Sequence, residues 1–329
     1  MNVLVTGGAG YIGLVLIPKL LENGYKVKCL DVFFFGEESL QNLKINQNLT
    51  IIKDDTRKFN PEILKDVDVV VDLAAISQPD PTKQLDPNLF YEFNFYGPSR
   101  VVDLSKKHGV KKYILASTCS VYGFQDKILD ENSPPNPVEI YGQTKAQAEK
   151  KVLSYSDKNF SVTVLRFATV YGLSPKMRFD LVVNGMTLSL FKTGKIRVMR
   201  NGYQWRPVVH VKDVVKAIML IIESEEEKVN GEIFNVGSNN QNFQIYPLAK
   251  LIGDSVGEPY DIEWYGDPDT RSYRVSFEKI EKVLGYKTSY TPKEGAKEIY
   301  EALQNGKIMD TEKAYVIKWY KNLFKDTKF

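Results

Sequence analysis

The 329 residues predict an α/β fold, a doubly wound parallel sheet followed by a smaller, mostly helical C-terminal region. Three observations carry that reading. Short β-branched runs alternate with longer amphipathic stretches through the first half of the chain. A glycine-rich turn, TGGAGYIG at 6–13, separates the first apolar run from the first helical pattern. Runs such as VDVVVDL and VTVLRF are apolar with little alternation, as strands covered on both faces are.

The expected strands of the sheet are 2–6, 26–31, 49–53, 68–73, 111–117 and 162–166. Helical patterns at 12–23, 88–108 and 139–156 fall between them. Beyond Phe167 the rhythm breaks. A loop, GLSPKMRF, leads to a helix at 180–192, a strand and helix occupy 207–223, and a strand spans 232–236. ESEEEK at 223–228 reads as a solvated helix end, and the tail from Phe243 as scattered helices with little strand. The chain therefore reads as two units stitched by crossings: residues 1–170 with 207–238, and residues 171–206 with 239–329.

Composition narrows the function classes. A formal charge of +3 with no basic run gives no footprint for nucleic acid as a partner. Cys29 and Cys119 are too few for a disulfide scaffold and are expected to be reduced, as in the cytoplasm. The first strand starts at residue 2, which leaves no room for a signal peptide before it. No apolar run approaches the roughly 20 residues of a membrane span. A soluble protein with no membrane partner is expected.

In the glycine-rich turn, Gly7, Gly10 and Gly13 permit a tight turn, close backbone approach to a pyrophosphate, and close packing of helix on sheet. With Tyr11 and Ile12 they form the candidate phosphate cradle, because a helix N-terminus presents free amides and a partial positive charge. Asp31, 18 positions past Gly13, ends the second strand. Its carboxylate suits the two adenosine ribose hydroxyls and repels a 2′-phosphate, which favours NAD over NADP. Asp55, after the third strand, is placed to meet the adenine amino group.

Tyr141 and Lys145, in YGQTK, share a helix face four residues apart. A free tyrosine titrates at about 10, so a base acting near neutrality needs roughly a three-unit depression, about 4 kcal/mol. An ammonium at contact distance supplies about that much at an effective dielectric of about 20. Thr118, in STCSVYG at the end of the fifth strand, can share the proton with Tyr141. Ser117 and Ser120 read as serving the backbone and turn, with a substrate contact the alternative for Ser120. His108 reads as a helix-end residue, His210 as a structural one, and nothing has metal-ligand spacing.

TGGAGYIG, the LAA of LAAIS (73–77), STCSVYG, YGQTK, LRFATVYG (165–172) and WRPVVHVKDV (205–214) occur in one order along nearly the whole chain. In this the sequence resembles the extended short-chain dehydrogenase family, which includes UDP-galactose 4-epimerase and the nucleotide-sugar dehydratases. The resemblance implies a Rossmann-type fold, NAD as cofactor and a nucleotide-diphosphate sugar as substrate. It implies catalytic roles for Thr118, Tyr141 and Lys145, and cofactor contacts from Leu73, Ala74, Ala75 and Asn94. It implies a grip on the diphosphate by Arg206, and a homodimer paired through the helices at 88–108 and 139–156. SPKMRFDLVVN (174–184) and DPDTRSY (267–273) look like a branch acting on less common sugars, including some oxidising a GDP-heptose at C4. There Arg178, Asn184 and Arg271 are the expected diphosphate or nucleotide contacts.

Two departures matter. The family's dehydratases carry Asp-Glu directly after the catalytic threonine; this chain has Cys119 and Ser120. Without a carboxylic acid there, water elimination across C5–C6 lacks its proton donor. Thr169 stands where many members have Asn, so that substrate contact departs from the pattern. The leading expectation is 4-epimerisation by transient oxidation. A 4-dehydrogenase or a keto-sugar reductase or epimerase is the rival, with Cys119 as a candidate acid. A non-catalytic NAD-sensing protein is the third reading.

Overall fold

The computed structural model describes residues 1–77, 85–267 and 271–325. Fourteen strands occur among them. In chain order they are β1 (Asn2–Thr6), β2 (Lys26–Asp31), β3 (Leu49–Lys53), β4 (Val69–Asp72), β5 (Lys112–Thr118), β6 (Ile128–Leu129) and β7 (Ser161–Phe167). There follow β8 (Thr169–Tyr171), β9 (Lys195–Met199), β10 (Trp205–His210), β11 (Glu232–Val236), β12 (Asn242–Gln244), β13 (Asp261–Tyr265) and β14 (Arg274–Val275).

Seven strands form one parallel sheet in the order β11-β7-β5-β4-β1-β2-β3. Alternate side chains feed two cores. Val3 and Val5 pack with helices Gly13–Glu22 and Val211–Glu223 on one face. Leu4, Val70, Leu115 and Val164 pack with Gly97–Lys107 and Ile140–Leu153 on the other. Burial on both faces is why these strands read as continuous apolar runs. Chain order reverses between β1 and β4, and in such sheets the crevice beyond the strand C-termini at that point is where ligands bind. Lys112 reaches under the sheet to the end of helix Val211–Glu223. There its ammonium donates to the carbonyls of Ile221, Ile222 and Ser224, each at 2.9 Å, and caps the helix.

The structure corrects two expectations. The helix expected at 88–108 is broken: Pro87–Tyr91 is α-helical, Glu92–Tyr96 widens to a π turn, and Gly97–Lys107 resumes the α-helix. Pro98 has no N–H to give the carbonyl of Asn94, four residues back, so the ladder fails there. The C-terminal region is mixed rather than mostly helical. β12 pairs antiparallel with β10, β13 parallel with β9, and β14 with β6. These strands are two to five residues long, with partners far away in sequence, so no local period announces them.

No helix among the described residues is long and apolar enough to cross a membrane. His108 takes its helix-end role, with Nδ1 donating to the Leu104 carbonyl at 2.9 Å. Buried His210 is tied to Glu298 at 2.6 Å and stacks on Tyr290, inside the packing of the second region.

Candidate active site

A cavity of about 790 Å³ opens over the C-terminal ends of β1, β2, β4 and β5. Of the sequence candidates, Gly7, Gly10, Tyr11, Ile12, Gly13, Asp31, Leu73, Ala74, Ala75, Thr118, Ser120, Tyr141, Lys145, Thr169, Arg178, Arg206 and Arg271 line it. Asp55, Asn94 and Asn184 do not.

The turn is built to let a ligand come close. Gly7 has φ of +63°, and a Cβ there would stand 2.8 Å from the backbone of Ala74. A Cβ on Gly13 would sit 2.4 Å from the Gly8 carbonyl, so helix and turn touch only because both are glycine. Gly8, which motif spacing did not single out, is crowded by side chains: a Cβ would lie 2.6 Å from the sulfur of Cys29. Asp31 accepts from the amides of Ala9 (3.0 Å) and Phe33 (2.7 Å), which fix its carboxylate at the cavity wall. Burial pushes this carboxyl up, against the pull of those two N–H groups and of Lys176. These features fit a dinucleotide: a backbone cradle no side chain can enter, a helix N-terminus and an acid at the cavity wall where β2 ends.

Three expected contacts have other work. Asp55 is held by the fork of Arg57 (Nη2 to Oδ2 2.7 Å, Nε to Oδ1 3.0 Å), and its neighbours Asp54 and Thr56 line the cavity instead. Asn94, on the π turn, accepts from the Ile76 amide at 2.9 Å and donates to the Ile76 carbonyl at 2.8 Å. It thereby shapes the Leu73–Ile76 wall without reaching the cavity. Asn184 accepts from the Gly172 amide and donates to Tyr11 Oη and the Arg178 carbonyl. These bonds pin two loops together, and Asn184 stands behind the cavity wall. The phenol of Tyr11 is similarly spent on the Gly172 carbonyl at 2.5 Å, leaving its backbone to face a ligand.

Thr118, Tyr141 and Lys145 come together at the end of β5. Thr118 Oγ1 accepts from the Ser120 amide at 3.1 Å, and its hydroxyl acts on the nearby Tyr141 phenol. Burial pushes the Tyr141 phenol up to about 12, opposed by the cation of Arg178 and the hydroxyl of Thr118. Burial likewise lowers the Lys145 ammonium, opposed by Asp72 and Glu149. In the protein by itself Lys145 faces two carboxylates, and the cation felt at the phenol is Arg178. Arg178 is in turn forked to Asp180 at 3.0 and 3.3 Å.

Behind the triad lies a buried polar network. Arg166 clasps Glu149 (Nη2 to Oε2 2.7 Å) and bonds Tyr122 Oη at 2.9 Å, while Ser117 donates to the same Glu149 carboxylate. Cys119 is fully buried, its thiol turned to the Arg166 carbonyl at 3.4 Å and pushed far up by burial. Its side chain is thus packed beneath the cavity wall rather than lining it.

The far end of the cavity is cationic and aromatic. Arg206 donates to the carbonyls of Trp205 (2.9 Å) and Arg271 (2.5 Å) and lies over the Tyr273 ring. Arg271 reaches Glu139 at 3.5 Å. Residues 268–270 of the DPDTRSY segment lie outside the described residues. Sequence reasoning missed Tyr273, which faces Ser120 across 3.5 Å. It also missed the wall over Asp31, where Phe34 and Phe35 meet Trp319 and Tyr320 of the last helix and Trp319 Nε1 donates to the Phe34 carbonyl at 2.7 Å. The triple FFF at 33–35 is the one local signal of that wall.

The chain is similar to known proteins along most of its length. The profile of the NAD dependent epimerase/dehydratase family matches residues 3–237. A UDP-glucose 4-epimerase of Corynebacterium glutamicum is 27% identical over 311 residues, spanning 88% of this chain and 92% of that one. A dTDP-D-glucose 4,6-dehydratase of Mus musculus is 31% identical over 323 residues, spanning 91% and 88%. The structure of MoeE5 in complex with UDP-glucuronic acid and NAD superposes with a TM-score of 0.82 at 26% identity, covering 93% of this chain and 100% of that one.

Proposed function

We propose, from the premise that this chain belongs to the NAD dependent epimerase/dehydratase family, that it interconverts C4 epimers of a nucleotide-activated sugar through transient oxidation at C4. The observation that carries this reading is what stands beside Thr118. Cys119 is sealed under Arg166, and only the hydroxyl of Ser120 reaches the cavity from the next position. Glu139, whose charge is felt at Tyr141, is engaged by Arg271 and is not part of the cavity wall. Elimination across C5–C6 thus finds no carboxylic acid next to the threonine.

NAD, when bound, supplies a reversible two-electron acceptor for C4. Tyr141 takes the C4 hydroxyl proton as the carbonyl forms and returns it after the sugar has turned, and Thr118 shares that proton. Arg178 and Lys145 supply the positive field that a phenolate needs in a desolvated site. Arg206 and Arg271 hold the diphosphate while the keto-sugar rotates, and Ser120 and Thr169 meet the sugar.

A panel of UDP-, dTDP- and GDP-sugars deuterated at C4 tests this. The expected product is inverted at C4, keeps its deuterium and accompanies no net NADH. A 4-keto-6-deoxy sugar would select the dehydratase activity, and stoichiometric NADH with a released keto-sugar the 4-dehydrogenase.

The homodimer belongs to the same proposal. Helices Gly97–Lys107 and Ile140–Leu153 pack side by side, and Tyr96, Gln143, Gln147, Lys150 and Lys151 are exposed on or beside them. Light scattering at micromolar concentration is expected to give twice the 37.5 kDa of one chain, and the monomer mass would remove the dimer.

A further inference from the structure

The loop between β8 and helix Val182–Thr193 brings a cation to the cofactor end of the cavity that the glycine turn and the catalytic helix do not account for. That loop is docked on the turn itself. Ser174 Oγ donates to the Tyr11 carbonyl at 2.8 Å, and Tyr11 Oη donates back to the Gly172 carbonyl. Two residues past Ser174, Lys176 lines the cavity with its ammonium 3.5 Å from the centroid of Phe35. Phe35 lies four residues beyond Asp31, in the loop that follows β2.

Among the described residues the Lys176 ammonium makes no hydrogen bond or ion pair. It feels Asp31 and Asp180 through space, with Arg178 opposing them. Burial, first, and Arg178 push it down to about 7. A half-buried ammonium set against an aromatic face, with two carboxylates acting on it only through space, gains from an anion brought to it. The anionic groups of NAD are its phosphates, and the turn on which this loop rests is the cradle that receives them.

We propose that Lys176 is a cofactor-binding residue that sets its ammonium against the phosphates of the ADP half of NAD, from the loop docked on the glycine turn. The second region of the chain then touches the cofactor as well as the sugar, with Phe35 steering the lysine. The inference rests on NAD being the cofactor and is independent of whether the reaction is epimerisation.

Calorimetric titration of NAD⁺, ADP and adenosine into the nucleotide-stripped full chain tests it. Lys176→Met is expected to weaken NAD⁺ and ADP by roughly tenfold or more while leaving adenosine unchanged. Lys176→Arg, which keeps the cation, is expected to stay within about threefold of the parent for all three. Unchanged NAD⁺ and ADP binding in Lys176→Met overturns the proposal. So does an equal loss for adenosine, which would mark disturbed packing at Phe35. If Lys176→Met does not fold, Lys176→Gln removes the same charge, and the same two outcomes overturn the proposal.

Discussion

Tyr141→Phe is expected to keep NAD bound while turnover of the true nucleotide sugar falls by roughly 10²–10⁴-fold, the usual worth of positioned acid–base catalysis. The substitution removes one oxygen from a half-buried ring and leaves the helix Ile140–Leu153 and the cavity wall in place. What disappears is the group whose proton Thr118 shares and whose ionisation Arg178 supports. Within the same series Lys145→Met should cost at least as much, because it removes a cation one helical turn from the phenol and loosens the hold on the nicotinamide ribose. Thr118→Val should cost less if a water can take the hydroxyl's place. Product formation followed by NMR, with bound NAD measured after denaturation, separates loss of chemistry from loss of cofactor. Full activity in Tyr141→Phe would overturn the mechanism.

The largest expected effect on stability is at Arg166. Arg166→Met strips Glu149 of its forked partner and leaves a carboxylate buried beneath the catalytic strand, together with Ser117 and Tyr122. Breaking one side of a buried pair costs about 3–5 kcal/mol, whereas replacing both sides with apolar residues of similar volume is often nearly neutral. For a chain of this length that corresponds to a fall in Tm of roughly 4–7 °C. Arg166→Met/Glu149→Met should recover most of it. Thermal denaturation of the two variants decides the point, and a change of less than about 1 °C in the single variant would show that the network is not a stabilising clasp.

The same network explains why part of the site is invisible in one dimension. Cys119 reads as a candidate acid because it follows Thr118 directly. The β5 strand ends there, and the turn that follows sends one side chain up into the cavity and the next down towards Arg166 on β7. Asp55 reads as an adenine contact from its place after β3, but Arg57, two residues on, curls back and claims it. Asn184 has the residue type of a ligand contact and the environment of a rivet between loops. Lys176 and Tyr320 give no signal at all, since their positions over Asp31 depend on segments more than 130 residues away from it.

By itself the sequence determined the parallel sheet, the glycine turn with Asp31, and the sharing of one cavity by Thr118, Tyr141 and Lys145. Each is written in local spacing: runs of apolar residues, glycines at a strand-to-helix junction, two side chains one helical turn apart. Only the tertiary structure decided which carboxylates and amides remain available to a ligand and which cations stand beside the phenol. It also decided what closes over the cofactor. Those outcomes turn on which partner reaches a buried polar group first, and desolvation makes that competition decisive over a few ångströms that no sequence period records.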